Sequence, residues 1–265
     1  MAAAGLSRGA GERTWLRPER RLQLITVVVL LIAWELIAAS GLLYRGVVPS
    51  VTAIVASLAT MLGTAKFWIN FSVTASEIGS AILIGGGLGL LVGLVLGSNR
   101  FLGTAFSPFV IYLASTPKVI LLPIIYLMFG IGPASKIVVG SIACFMPMAI
   151  STAAGMRQIN PALIRVGRSF NLTRPQMIQK IYLPAMVAPI ANGLRIALGS
   201  AIVVCLVAEI KFSSMGLGQM VIDNFNRSRF AEVYASLIVI TTLAVVGNSF
   251  VDRLAHRPGS QSSPR

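Results

Sequence analysis

The sequence predicts an all-α membrane protein of about six transmembrane helices, and three observations carry that prediction. Of its 265 residues, 55% are hydrophobic and only 11% charged, against roughly 25% charged in a soluble domain. Several apolar runs approach or exceed the ~20 residues that a helix needs to span a bilayer. No stretch shows the alternating pattern of a membrane β-barrel, which leaves helices as the spanning elements. The net charge of +14 would by itself suit nucleic acid. The cations, however, fall in short segments between apolar runs, and no nucleic-acid partner is expected.

Residues 1–21 are polar and rich in arginine (Arg8, Arg13, Arg17, Arg20, Arg21) and are expected to be a disordered tail. Residues 22–252 form the membrane domain and 253–265 a second polar tail. The first apolar run covers about 22–39. A cleaved signal peptide is the alternative, since Ala38-Ala39-Ser40 offers small residues, but the run is long for that role and contains Trp34-Glu35. Residues 49–63 place Val51, Ile54, Val55, Leu58 and Met61 near helical spacing, as in an amphipathic helix lying at the membrane surface.

The second span is expected at about 78–96. It carries Gly85, Gly89, Gly93 and Gly97 in strict four-residue register, a face along which another backbone can approach closely, in this chain or in another copy. After the turn Ser98-Asn99-Arg100, the third span at about 105–129 holds Pro117-Lys118 and Pro123. Its freed carbonyls need neighbouring helices or a wet cavity. Lys118 would cost ~2.5–3.5 kcal/mol in lipid, so it either lines an aqueous pathway or snorkels to an interface. Gly130-Ile131-Gly132 turns the chain into the fourth span, about 136–154. The fifth span, about 185–207, includes Arg195. A polar loop from 209 to 229 contains Met215-Gly216-Leu217-Gly218, and the sixth span is about 231–251.

Between the fourth and fifth spans, residues 160–184 are polar, cationic and punctuated for two short helices. Asn160-Pro161 reads as an N-cap with proline in the first turn. Leu163, Val166 and Phe170 then share one face while Arg165 and Arg168 point elsewhere. Asn171 suits the left-handed residue that ends a helix. Thr173 and Gln176 form a capping-box pattern around Pro175, and Met177, Ile178 and Ile181 give the second helix its own apolar patch. Such a segment reads as a docking element, although its stripe would also serve to pack against the protein's own helix ends.

Orientation follows from the cations. With the amino terminus inside, the inner segments hold the five amino-terminal arginines, Arg100, Arg157, Arg165, Arg168, Arg174, Lys180, Arg253, Arg257 and Arg265. The outer segments hold Arg45, Lys66, Lys136, Lys211, Arg227 and Arg229. Both termini and the docking segment are therefore expected on the cytoplasmic side. Cys144 and Cys205 lie inside apolar runs and read as small core residues. The one histidine, His256, excludes a histidine metal cluster, and no G-x-x-x-x-G-K-[ST] phosphate loop occurs. No cofactor or metal is expected, and no His–Asp or metal-spaced set suggests an intramembrane enzyme.

Residues 165–184 resemble the EAA loop of permease subunits of ABC importers that work with an extracytoplasmic binding protein. That signature is Glu-Ala-Ala, three residues, Gly, nine residues, Ile-x-Leu-Pro. Here Arg165-Val166-Gly167, Asn171 and Ile181-Tyr182-Leu183-Pro184 keep every spacing. Asparagine is a mild replacement for the loop glycine, whereas Arg165 reverses the charge of the family's glutamate. Trp34-Glu35, Pro49-Ser50, Pro117, Leu122-Pro123, Phe129-Gly130-Ile131-Gly132, Gly193-Leu194-Arg195, Ala208-Glu209 and Gly216-Leu217-Gly218 are similar to the nitrate/sulfonate/taurine branch.

The resemblance implies a type I ABC importer permease in a bacterial inner membrane, with a cytoplasmic helical coupling loop at 157–184. It assigns Ala162, Leu163, Arg165, Val166, Gly167, Arg168, Phe170, Asn171, Ile181, Leu183 and Pro184 to contact with a separate ATPase subunit. It further implies an extracytoplasmic solute-binding protein, a second copy of the chain, surrounding membrane lipid, and a small, mostly anionic solute. Pro117, Lys118 and Arg195 are the candidate pathway residues. The rival class, an ATP-independent secondary transporter or channel, needs buried carboxylates or broken helices at mid-membrane. Its candidate acids are Glu35 near a span end, Glu77 opening a span and Glu209 at an outer boundary.

Overall fold

The computed structural model describes residues 18–40 and 46–255. The arginine-rich arm up to residue 17, Arg45 and the tail from 256 lie outside the described residues, as do the expectations of disorder placed on the two ends. The elements are α1 (Pro18–Ser40), α2 (Val51–Leu62), α3 (Ala65–Ala81), α4 (Gly87–Ser98), α5 (Arg100–Ser115), α6 (Leu122–Phe129), α7 (Pro133–Arg157), α8 (Pro161–Ser169), α9 (Arg174–Met177), α10 (Leu183–Phe212), α11 (Leu217–Asn226) and α12 (Phe230–Ala255). Among the described residues five helices are long and apolar enough to cross a membrane. The bent pair Arg100–Ser115 and Lys118–Phe129 makes up to a sixth.

Three boundaries differ from the sequence expectation. α3 joins α4 through a π-helical turn, Ile82–Gly86, so the second helix runs from Ala65 to Ser98 rather than starting near 78. Asn70, Thr74 and Glu77 hide the early part from a hydropathy reading, yet all three are buried on one face. The third span is not straight, because its two halves meet at 84°. Pro117 excludes the residue before it from helical geometry, and Thr116 is extended, with ψ 132°. α10 continues to Phe212, which places Glu209 inside a helix and not in a polar loop.

α7 is the central helix, with α3, α4 and α10 packed around it. Small residues dominate the contacts, including buried Ala81, Ala143, Ala149, Ala197 and Ala201, and the free thiols Cys144 and Cys205 are fully buried among them. The glycine face of the second helix lies on α7 of the same chain. A Cβ at Gly85 would sit 2.0 Å from the Ser141 carbonyl oxygen, and one at Gly89 2.5 Å from that of Phe145. At Gly93 it would sit 2.6 Å from the Ala149 oxygen, and at Gly97 2.5 Å from Met156 Cβ. Backbones this close gain dispersion contacts that lipid cannot match, which is how helices associate in a bilayer.

α1 lies almost wholly outside this core. It is tied down by two adjacent side chains: Trp34 Nε1 donates to the Pro49 carbonyl at 3.1 Å, and Glu35 Oε2 accepts from the first amide of α2, Val51 N, at 2.9 Å. A carboxylate at a helix N-terminus satisfies an orphan donor and opposes the positive end of the helix dipole.

Candidate functional site

The segment after α7 folds as a capped helix pair. Asn160 Oδ1 accepts from Ala162 N at 2.8 Å, ahead of Pro161 in the first turn of α8. α8 ends at Ser169 with Phe170 as its C-cap, and the next residue, Asn171, takes φ 50°. Leu172 N donates back to the Gly167 carbonyl at 3.0 Å, the wrap that a left-handed C′ residue permits. Gln176 Oε1 then accepts from Thr173 N at 2.9 Å, and α9 passes through a second π-helical turn, Ile178–Tyr182, into α10.

Gly167 is where the two helices touch. A Cβ there would lie 2.5 Å from both Ile181 Cδ1 and Met177 Sδ. Leu163 and Val166 are each about half exposed and Phe170 is 77% exposed, so this stripe is not consumed by the protein's own helix ends. Ala162, Arg165, Arg168, Leu183 and Pro184 are exposed around it, and Ile181 is half-buried.

A cavity of about 620 Å³ opens between the bent pair, α7 and α10, lined among others by Lys118, Ala143, Pro147, Ser151, Ser200 and Val203. The break at Pro117 brings Lys118 here, where its Nζ donates to the Ala114 carbonyl. Pro147 lacks an N–H, so the Ala143 carbonyl one turn earlier loses its donor within the helix. Ser151 and Ser200 add hydroxyls to the same wall. Arg195 is elsewhere: it ion-pairs with Asp252 of α12. Of the two cations expected on a pathway, only Lys118 reaches the cavity.

A third arrangement escaped the sequence reading. At the end of the bundle opposite α8 and α9, α3, α7, α10 and α11 converge on a largely buried polar cluster. Glu209 is 0% exposed, Glu77 1% and Lys136 3%. Glu209 Oε1 accepts from the Thr74 hydroxyl at 2.6 Å, and Oε2 from Gly218 N at 2.6 Å. Leu217 N donates to Thr74 Oγ1 at 2.8 Å, and Gly216 N to Asn70 Oδ1 at 2.6 Å. The first amides of α11 are thus met by buried side chains of two spans. Lys136 Nζ lies 2.5 Å from Glu77 Oε1 and donates to Ser213 Oγ at 3.0 Å.

The Gly216-Leu217-Gly218 motif has its reason in this cluster. Gly216 has φ 115°, and a Cβ there would lie 2.3 Å from Glu209 Oε1. One at Gly218 would lie 2.7 Å from the Leu206 carbonyl. The available signals were the i, i+4, i+7 spacing of Asn70, Thr74 and Glu77 and the glycines flanking Leu217. Lys136, expected in a segment between spans, is instead buried within this cluster.

Residues 85–257 match the family described as "Binding-protein-dependent transport system inner membrane component". A Bacillus subtilis protein named as the aliphatic sulfonates transport permease SsuC is 28% identical over 97% of this chain and 94% of its own length. A Haemophilus influenzae protein named as an ABC transporter permease is 30% identical over 88% of this chain and 95% of its own. The Escherichia coli taurine transport permease TauC is 28% identical over 85% and 82%. Among solved structures, one chain of a bacterial ABC transporter involved in import of the acidic polysaccharide alginate superimposes with a TM-score of 0.61. It is 20% identical and covers 94% of this chain and 100% of its own. The inward-facing MetNI methionine ABC transporter gives 0.56, at 20% identity, over 77% and 95%. The shared helical order and the family match over most of the chain agree: this protein belongs to the binding-protein-dependent transport system inner membrane components, the permease subunits of ABC importers.

Proposed function

We propose that the α8–α9 pair is the handle by which a separate ATPase subunit drives this permease, and that the cavity beside Lys118 belongs to the solute pathway. The observation that carries the first half is the exposed stripe of Leu163, Val166 and Phe170 on a capped helix pair continuous with α10. An apolar stripe on a preformed helix is what a groove on a partner recognises. The cation distribution supports a cytoplasmic position for this pair and both chain ends, the side where ATP is. An extracytoplasmic binding protein would then deliver solute to the opposite face, and two copies of the chain would enclose the pathway.

For the solute, the reading is a small anion. Lys118 supplies a positive charge, and Ser151 and Ser200 supply donors, on an otherwise apolar wall. Relatives named for sulfonates, taurine and nitrate are consistent with it.

The test is coupled ATP hydrolysis in the reconstituted transporter. Asn171→Pro cannot adopt φ 50°, and Gly167→Leu would force α8 off Ile181 and Met177. Both are expected to abolish solute-stimulated hydrolysis while membrane insertion stays intact. Normal stimulation in both variants refutes the assignment.

A further inference from the structure

We propose that the ATPase groove that takes the α8–α9 handle has an apolar floor and carboxylate walls, an inference that rests on reading this pair as the handle and adds the chemistry of its partner.

The handle is cationic without relief. Arg165, Arg168, Arg174 and Lys180 are all exposed, and no Asp or Glu occurs anywhere between Glu77 and Glu209. The ion pairs among the described residues involve none of these cations. Arg157, at the end of α7, is different. Its Nη2 donates to Ser107 Oγ at 2.9 Å and to the Leu96 carbonyl at 3.3 Å, so it is engaged by α4 and α5 of the same chain. Arg165 and Arg168 stand one turn apart and stay charged at every physiological pH. They repel each other until something acidic lies beside them.

Geometry decides the shape of that acidic surface. At about 100° per residue, Arg165 lies about 160° around α8 from Gly167, and Gly167 abuts Met177 and Ile181. Arg165 therefore points away from this chain's own helices. Arg168 lies roughly 165° from the centre of the stripe of Leu163, Val166 and Phe170. A helix resting on a bilayer with that stripe immersed would hold Arg168 on its far side, away from the lipid phosphates. A groove instead closes around the exposed arc and touches stripe and cations at once. Its occupancy calls for apolar residues under the stripe and Asp or Glu facing Arg165 and Arg168, where a guanidinium and a carboxylate pair fork to fork.

The same charges make the surface selective. Arg165 reverses the sign found in the EAA signature, so a groove lined with cations meets a like charge and is rejected. Encounter with the acidic groove is accelerated, and it weakens as salt rises.

The permease reconstituted in vesicles of phosphatidylcholine alone, titrated with the ATPase subunit of the same transporter while hydrolysis is read, provides the test. The half-saturating ATPase concentration is expected to rise with salt for the wild type, and to rise roughly tenfold or more in Arg165→Glu and in Arg168→Glu. Arg229→Glu, at the turn between α11 and α12, is expected to leave it unchanged. A zero-length carbodiimide joins an amine only to a carboxylate in contact with it. In Arg165→Lys it is expected to link position 165 to an Asp or Glu of the ATPase. Half-saturation insensitive to salt and to both reversals, with Gly167→Leu still uncoupled, overturns the acidic groove and leaves the handle in place. Normal coupling in Gly167→Leu overturns both. Association that needs phosphatidylglycerol in the vesicles and ignores the reversals assigns the cations to lipid and overturns the groove.

Discussion

Lys136 is the buried cation at the end of the bundle opposite α8 and α9. It is a full positive charge held 3% exposed between Glu77 and Ser213. Removing one partner of a buried ion pair typically costs ~3–5 kcal/mol, because the other is left uncompensated. Lys136→Met is therefore expected to destabilise the protein by about that amount, read as a lowered thermal midpoint in detergent. This cluster was not legible from one sequence. Thr74 and Glu209 are 135 residues apart and yet 2.6 Å apart in space, and hydropathy treats both acids as the edges of spans. What the sequence did display was the local part: a polar face at residues 70, 74 and 77 and two glycines around Leu217, each unremarkable without the other.

At the scale of elements, the second helix shows which glycines carry packing and which do not. Gly93 meets the Ala149 backbone, whereas a Cβ at Gly87 would find no atom within 4 Å. Gly93→Leu is expected to separate the second helix from α7, with a loss of at least 1–3 kcal/mol, roughly the range for overpacking. Gly87→Leu should stay within about 0.5 kcal/mol of wild type, as at an uninvolved surface position. Resistance to protease and thermal melting of the two variants in the same lipid checks the contrast. The four-residue register made this face readable in advance, because glycine periodicity is a property of one helix. Which helix lies opposite is a property of the fold, and only the structure names α7. The α8–α9 pair was readable for the same reason: its caps, prolines and left-handed Asn171 are all local chemistry. The bend at Pro117 was half readable, since the proline announced a break and its 84° angle depends on what the two halves pack against.

The whole molecule leaves much apolar surface outside its core, including nearly all of α1 and the cavity wall at Val203. On the proposed reading, lipid and a second copy of the chain would cover it. If the cavity carries anions, Lys118→Gln should raise the KM for an anionic solute tenfold or more, with little change in unstimulated ATP hydrolysis. Uptake into proteoliposomes containing the full transporter checks this. An unchanged KM would remove Lys118 from the pathway. Arg195→Gln, which breaks the pair with Asp252, should not mimic it, because Arg195 is not on the cavity wall.

From Arg174 to Phe212 the chain is one helical run of 39 residues, about 58 Å at 1.5 Å per residue. Its lower tip seats Gly167 through Met177 and Ile181, and its upper tip presents Glu209 to the first amides of α11. A tilt imposed below therefore reaches the top without crossing a loop. The π-helical turn at Ile178–Tyr182 and the internal Pro189 are departures from regular winding near the proposed grip. If the proposed handle is where the ATPase binds, one continuous helical run, more than any relay of side chains, would let an event there decide whether the far side is shut.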